Sequence, residues 1–266
     1  MARKILHLDL DAFFCSVEEL LDPSLVGKAF AVGGSPQGRG VIASCSYAAR
    51  LKGVRSAMPA GKAIQLCPEL LMIHHRHHLY SEYSDRVMSI LHDTTPVVEQ
   101  VSVDEAFIDV SDLPQPLRMI AVGLQKRVAD ETQLPCSLGG ATNKLVAKMA
   151  NDYGKKQVRT GRAPRAITII EPGGEQAFMA PLDIQALWGF GPKTADKLRE
   201  RGIFRIGQLY ELSEVELRSF FGNHALEILD RAKGIDTRPV YDSESDPKSV
   251  SNETTGGLPV IFGMTP

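Results

Sequence analysis

Two short acidic clusters interrupt apolar sequence: Asp9 and Asp11 in Ile5-Leu6-His7-Leu8-Asp9-Leu10-Asp11, and Asp104 with Glu105 in Val101-Ser102-Val103-Asp104-Glu105-Ala106-Phe107. A carboxylate flanked by apolar strand residues is costly to bury unless a cation or hydrogen bonds compensate it. Carboxylates from two strands that meet at one sheet edge form the ligand set that a pair of hard divalent cations requires. Mg²⁺ takes oxygen donors, keeps several waters and leaves room for substrate phosphates. Two such ions can activate an attacking hydroxyl and neutralise a leaving pyrophosphate in an in-line displacement. Taken singly, each acid is as readily a surface or capping residue. Spacing alone therefore reaches metal-assisted phosphoryl chemistry and stops there.

The elements that must position these acids can be read from periodicity. Lys4 to Leu10 alternates and predicts a short buried strand ending at Asp9-Leu10-Asp11. Ser16-Val17-Glu18-Glu19 matches a capping box and predicts a helix start, with a stop near Asp22-Pro23. Short strands are expected over 29–32 and 41–44, separated by the Gly33-Gly34-Ser35-Pro36 turn, and Tyr47 to Leu51 is expected to open a helix. Apolar spacing suits a helix over 79–91. Strands over 99–103 and 106–110 would flank Asp104-Glu105. A helix over 117–131, a strand over 137–141, a helix over 143–150 and the strand-like Ile167-Thr168-Ile169-Ile170 follow. Helices and strands mix without a repeating βαβ rhythm, which predicts an α+β fold. From Pro181 to about Gly234 the pattern is short helices between Gly and Pro, so a domain boundary is expected near residue 166. Asp236 to Lys248 is polar and acidic and reads as a linker.

Composition excludes several classes. At 266 residues, 43% hydrophobic and 23% charged, the chain has the make-up of a water-soluble globular protein with a core of its own. No apolar run approaches a membrane span, and the N-terminus meets acidic residues before a signal-peptide core could form, so a cytoplasmic protein without a membrane partner is expected. The four cysteines are scattered, which fits reduced thiols and argues against a zinc site. A net charge of −2 predicts no nucleic-acid partner by itself. Its distribution is uneven, however. Lys144, Lys148, Lys155, Lys156, Arg159, Arg162 and Arg165 are opposed only by Asp152, and Lys193, Lys197, Arg199, Arg201 and Arg205 form a second basic stretch. Such asymmetry would suit a polyanion-binding face; solvated helix faces give the same pattern.

At this point the residues carry a resemblance. His7-Leu8-Asp9-Leu10-Asp11-Ala12-Phe13-Phe14-Cys15-Ser16-Val17-Glu18 resembles the opening motif of the Y-family DNA polymerases, and Ser102-Val103-Asp104-Glu105-Ala106 resembles their second acidic motif. Ala43 to Arg50 and Gly53 to Pro59 are similar to the family's finger segment, and Asn143 to Ala150 to its helix after the last acidic strand. These five motifs stand in family order. The resemblance implies a ferredoxin-like mixed-sheet palm (1–19 and 80–165), small fingers (20–79) and an all-helical thumb carrying a helix-hairpin-helix (166–235). Residues 236–266 would be a linker and the first residues of a truncated little finger.

The resemblance also implies roles. Asp9 and Asp104 would bridge two Mg²⁺ ions, with Mn²⁺ an acceptable substitute. Glu105 would hold the catalytic ion, and the Leu10 carbonyl would complete the other. Asp11 would stay outside the site. Tyr47, Arg50 and Lys155 match positions that contact a triphosphate, chemistry that a hydroxyl, a guanidinium fork and an ammonium supply. Phe14, with Phe13 beside it, matches the ring that lies under the sugar; a core aromatic is the competing reading, above all for Phe13. Gly189, Gly191, Lys193 and Thr194 lie in a segment resembling a helix-hairpin-helix, whose backbone N–H groups would meet a DNA phosphate. Gly191-Pro192-Lys193-Thr194 superficially resembles a P-loop, but Pro192 breaks the required order. The histidines from His74 to His78 invite a metal reading without any accompanying ligand cluster.

The implied function is template-directed DNA synthesis of the translesion type on primed template DNA. A primer 3′-hydroxyl attacks a deoxynucleoside triphosphate and pyrophosphate leaves. Low fidelity, low processivity and a monomeric state are expected, and any sliding clamp would bind through a region this chain lacks. Four departures stand against the family pattern: Lys156-Gln157-Val158 after Lys155, Gly139-Gly140-Ala141 in a strand, Ala12 where larger side chains are common, and a C-terminal domain reduced to Lys248 to Thr254. The rival readings are a non-catalytic relative, a nuclease with similar carboxylates, and a helix-hairpin-helix DNA-binding module. A flat ring under the sugar leaves no room for a 2′-hydroxyl. Phe14→Ala is therefore expected to raise ribonucleotide incorporation in a primer-extension assay, and unchanged sugar discrimination would refute the assignment.

Overall fold

Alternation in the strand Ile5–Leu10 sends Leu6, Leu8 and Leu10 into one apolar core, while Ile5, His7 and Asp9 face the other way. In the computed structural model, which describes residues 2–158 and 160–241, this strand is the centre of a five-stranded sheet. The strand order is Val98–Gln100, Glu105–Asp109, Ile5–Leu10, Cys136–Ala141, Ile167–Ile169. The first four are antiparallel to their neighbours; the last pairs parallel to Cys136–Ala141. With helices His77–Thr94 and Leu117–Thr132 the first four strands make a β-α-β-β-α-β, ferredoxin-like unit. Those two helices cover the leucine face of the sheet. Helix Lys144–Gln157 covers the opposite face, where Leu145, Val146 and Met149 join Ile5 and Phe107.

Between the first strand and helix His77–Thr94 lies a smaller unit. Its three-stranded sheet runs Ile42–Cys45, Phe30–Gly33, Leu71–Ile73, and helices Tyr47–Leu51 and Ala60–Leu66 close a core of Ala31, Ile42, Val54 and Leu70. Short helices follow the last strand of the large sheet: Glu175–Met179, Pro192–Arg199, Glu214–Phe221 and Ala225–Ala232. The whole is α+β with an all-helical C-terminal part, as expected.

The structure corrects several local readings. The first helix runs Phe13–Leu21, so Ser16 lies inside it; instead of capping, the Ser16 hydroxyl donates to the Asp11 carbonyl at 2.7 Å. A capping box does form, at Ser213 and Glu216, where none was expected. The strand before the second acidic motif ends at Gln100, leaving Asp104 in a hairpin turn and Glu105 as the first residue of its strand. Helix Lys144–Gln157 is two turns longer than expected because nothing in Lys155-Lys156-Gln157 breaks it. Ile167–Ile169 belongs to the large sheet, so strand pairing runs past the boundary expected near residue 166. The polar stretch after Gly234 begins fastened down: Asp236 accepts from the Leu145 N–H, and Arg3 donates to the Asp236 and Arg238 carbonyls. Helix Ala60–Leu66 and strand Leu71–Ile73 were not anticipated. Arg159 of the basic stretch, the rest of the expected linker and the stretch Lys248 to Thr254 expected to begin the truncated little finger lie outside the described residues.

Gly139 explains one departure from the family pattern. It is the register partner of His7, and a Cβ there would lie 2.0 Å from the Ala147 carbonyl oxygen and 2.4 Å from the Asn151 nitrogen. The missing side chain lets helix Lys144–Gln157 settle onto the sheet. Gly139→Ala must lift that helix and is expected to destabilise the fold by about 1–3 kcal/mol. Gly123→Ala, on an exposed helix face with no atom within 4 Å of the new Cβ, should instead stabilise by roughly 0.5–1 kcal/mol. Urea unfolding of both variants checks the pair.

Candidate active site

Two residues separate the first strand from the first helix, and the corner they form carries the site. Ala12 adopts a left-handed conformation (φ 49°), which turns the chain sharply enough for Phe13 to begin the helix. Asp11 anchors the corner. Its buried carboxylate accepts from the Ser137 hydroxyl at 2.9 and 3.0 Å and from the Arg165 N–H at 3.0 Å. Burial pushes the Asp11 pKa up, against the pull of the Lys155 ammonium 3.5 Å away. Its bonds are spent on structure.

Asp9 and Glu105 are register partners on neighbouring antiparallel strands, so their side chains share a face. Asp104 sits at the adjoining turn, tied to the first strand by the Leu10 N–H donating to its carbonyl at 2.9 Å. The Ser102 hydroxyl donates to its carboxylate at 2.6 Å. Asp9, Leu10 and Asp104 line one cavity of about 240 Å³ together with Phe14, Arg50 and Lys155. Arg50 and Lys155 also line an adjoining cavity of about 600 Å³, with Tyr47, Arg55, Lys156 and Asp152.

The charges are unequally compensated. Lys155 reaches Asp9 at 2.5 Å; its own burial opposes the ammonium, but Asp9 and Asp11 hold its pKa above the usual lysine range. Burial also disfavours the Glu105 carboxylate, yet the His7 ring at 2.7 Å and the Lys148 ammonium hold its pKa down to about 2. Among the described residues no cation forms an ion pair with Asp104, although Lys155 favours its carboxylate from farther away. Burial, followed by the charges of Asp9 and Glu105, raises its pKa despite the Ser102 hydrogen bond. Among the described residues no three His, Cys, Asp or Glu side chains converge on one metal position, since Lys155 and Lys148 stand against two of the carboxylates. The donor set nevertheless fits hard divalent cations: it is all oxygen and carries uncompensated negative charge at Asp104.

The other predicted residues separate into three groups. Phe14 is partly exposed in the smaller cavity, its ring stacked on Tyr80 at 4.3 Å. Phe13 borders that cavity from the apolar core, at 2% exposure. Tyr47 lines the larger cavity with its hydroxyl buried and without a hydrogen-bond partner among the described residues. Burial and then the nearby Asp11 raise its pKa, which keeps the hydroxyl protonated. Arg50 packs over the Tyr47 ring at 4.6 Å and donates to the Cys45 carbonyl at 3.1 Å. Gly189, at φ 93°, Gly191, Lys193 and Thr194 belong to the helical part; Gly191 precedes helix Pro192–Arg199, and none of the four lines either cavity. Of the histidine run, His77 opens helix His77–Thr94 and stacks on His75 at 4.9 Å.

Sequence reasoning missed His7, Asn151, Lys144 and Lys148. It also treated the basic stretch as a candidate polyanion face, whereas Lys144 and Lys148 turn inward to Glu99 and Glu105. The available signal was the 4-3-4 spacing of Lys144, Lys148, Asn151 and Lys155, which puts all four on one face of a helix.

Known proteins resemble this chain over most of its length. The sequence profile of the impB/mucB/samB family matches residues 8–152, and that of the IMS family HHH motif matches residues 172–203. A DNA polymerase IV of Halorhodospira halophila is 40% identical over 258 residues, covering 96% of this chain and 70% of that protein. A DNA polymerase IV of Dehalococcoides mccartyi is also 40% identical; this chain spans 63% of its length. Among solved structures, DinB from Sulfolobus solfataricus superposes with a TM-score of 0.81 at 29% identity, over 90% of this chain and 69% of that one. An insertion ternary complex of Dbh DNA polymerase gives 0.80 at 29% identity, over 89% and 69%.

Because the folded state raises the Asp104 pKa, its ionised form costs stability at neutral pH. Asp104→Asn is expected to melt a few degrees above the unsubstituted protein at pH 7 in the presence of a metal chelator. The difference should close as the pH falls through the carboxylate range, where Asp104 takes up its own proton. Calorimetric melts at both ends of that range check the sign.

Proposed function

This chain belongs to the impB/mucB/samB family, the Y-family DNA polymerases, and on that premise we propose that it carries out template-directed DNA synthesis of the translesion type. The observation that carries the reading is the meeting of Asp9, Leu10, Asp104, Phe14, Arg50 and Lys155 around one cavity. Carboxylates, a flat ring and two cations are the parts needed to hold a deoxynucleoside triphosphate for attack at its α-phosphate.

In this reading residues 1–19 and 80–165, with the strand Ile167–Ile169, make the palm. Residues 20–79 are the fingers, and the helical part that follows is the thumb. Arg50 and Lys155 face the phosphates, and the unpartnered Tyr47 hydroxyl offers a donor in the same cavity. Phe14 lies under the sugar and excludes a 2′-hydroxyl. The helical turn at Gly189 and Gly191, with exposed Lys193 beside it, meets the DNA backbone without reading sequence.

Asp9, Asp104, Glu105 and the Leu10 carbonyl would hold two divalent cations, with Mg²⁺ the preferred metal and Mn²⁺ a substitute. When bound, such ions activate the primer 3′-hydroxyl and neutralise the departing pyrophosphate. The protein supplies position. Lys155 releases Asp9 to reach the phosphates, and the corner at Ala12 keeps the Leu10 carbonyl beside the carboxylates.

Primer extension on a primed template with Mg²⁺ is expected for this chain, with Asp104→Ala lowering the rate on the order of 10³-fold or more. Absence of extension at high enzyme concentration would sink the proposal. Degradation of the primer instead would favour a nuclease.

A further inference from the structure

His7 is completely buried, one strand position pair from Asp9, and no part of the reading above uses it. Its ring lies between two polar side chains. On one side Nε2 is 2.7 Å from Glu105 Oε1. On the other, Asn151 Nδ2 is 3.0 Å from Nδ1. Asn151 is itself fully buried, on the face of helix Lys144–Gln157 that Gly139 allows to approach the strand.

The orientation of the Asn151 amide is settled by its surroundings. Its Nδ2 also lies 3.2 Å from the His7 carbonyl oxygen and 3.1 Å from the Ser137 carbonyl oxygen. Both are acceptors only, so a donor must stand there. The reversed amide would set its oxygen against two carbonyl oxygens. The orientation is kept although the Asn151 Oδ1 is left buried without a partner, a cost that two carbonyl acceptors outweigh.

With an NH₂ group facing it, His7 Nδ1 must be the unprotonated nitrogen. The proton then sits on Nε2, pointed at Glu105. Lys148 donates to the same Glu105 oxygen, Oε1, and among the described residues no hydrogen bond engages Oε2. One oxygen of the carboxylate is therefore pinned and the other is left for a ligand.

We infer that His7 is a positioning residue: Asn151 fixes its Nε2–H tautomer, and His7 in turn orients Glu105 so that Oε2 is presented to a divalent cation. This rests on the reading of Glu105 as a metal ligand. It resembles the arrangement in which a second group orients a ligand from behind, whose loss typically lowers metal affinity or activity 10–100-fold.

Two measurements test it. In the unsubstituted, metal-free protein at neutral pH, nitrogen NMR of His7 should show protonated Nε2 and unprotonated Nδ1; the opposite tautomer overturns the inference. Mn²⁺ binding followed by electron paramagnetic resonance should weaken about 10-fold or more in His7→Leu. His7→Gln, whose amide N–H can still reach Glu105, should restore most of it. In primer extension, His7→Leu should need correspondingly more Mg²⁺ while the KM for the nucleotide stays unchanged. Unaltered Mn²⁺ affinity in His7→Leu, with the unsubstituted protein binding Mn²⁺ and extending primers, overturns the positioning role and leaves the polymerase reading standing. Absent Mn²⁺ binding in the unsubstituted protein would instead remove the metal reading of Glu105 itself.

Discussion

The site depends on one seam: the polar stripe of helix Lys144–Gln157 laid across the polar face of the large sheet. Lys144 meets Glu99, Lys148 meets Glu105, Asn151 meets His7 and Lys155 meets Asp9. The four helix residues recur at a spacing of 4, 3 and 4, the pitch of one helical face. Their partners lie on three adjacent strands in register. Burying charge is expensive, and each charge in the seam is tolerated because an opposite one or a directed hydrogen bond stands against it. Removing Lys144 or Lys155 would leave Glu99 or Asp9 without its ammonium, whereas Glu105 has two partners, His7 and Lys148. The seam therefore selects one placement of the helix, and with it one placement of Lys155 beside the carboxylates.

That arrangement sets how the charge of the acid cluster is balanced by the protein itself. Asp9 and Glu105 carry their own lysines. Asp104, held only by the Ser102 hydroxyl and raised in pKa by burial and by its acidic neighbours, is where the compensation falls short. A site that were neutral throughout would have no electrostatic reason to take up divalent ions. Negative charge left over in a cavity lined also by Arg50 and Lys155 would supply that reason, and in the proposed reading the arginine and lysine would keep it from repelling a polyphosphate.

How far the sequence could be read follows from the range of the forces involved. Periodicity located nearly every large-sheet strand and helix, because burial on one side of a strand or helix leaves a local signature. The helix Tyr47–Leu51 came out with its true start, where Ser46 supplies the cap. The first helix did not, because the left-handed Ala12 that begins it carries no side-chain signal. Asp9, Asp104 and Glu105 stood out through their apolar flanks, whereas the hydrogen bonds of Asp11 to Ser137 and Arg165 are tertiary and left no local mark. The lysines were misread: a run of positive charge looks the same whether it faces water or an acidic strand. Only the placement of Glu99 and Glu105 opposite the helix decides, and that is tertiary. His7 was invisible for a similar reason, since its meaning comes from an asparagine 144 positions away.

The position of Phe14 rests on a second buried charge. Glu18, one helical turn further along, is fully buried and accepts from the Tyr80 hydroxyl at 2.6 Å and from Arg76 Nε at 3.0 Å. Tyr80 is thereby fixed at the start of helix His77–Thr94, and its ring stacks on Phe14 with 15° between planes. Phe13 packs against both rings, 5.5 Å from Phe14 and 6.3 Å from Tyr80. An aromatic lining a cavity in a loop could swing aside for a bulkier sugar. Phe14 stands in the first turn of a helix, in a cluster with Phe13 and Tyr80, and Tyr80 is held by a charged network that is costly to disrupt. If Phe14 meets the sugar, discrimination there would be a matter of rigidity as much as of size, and the rigidity comes from Glu18, outside the cavity.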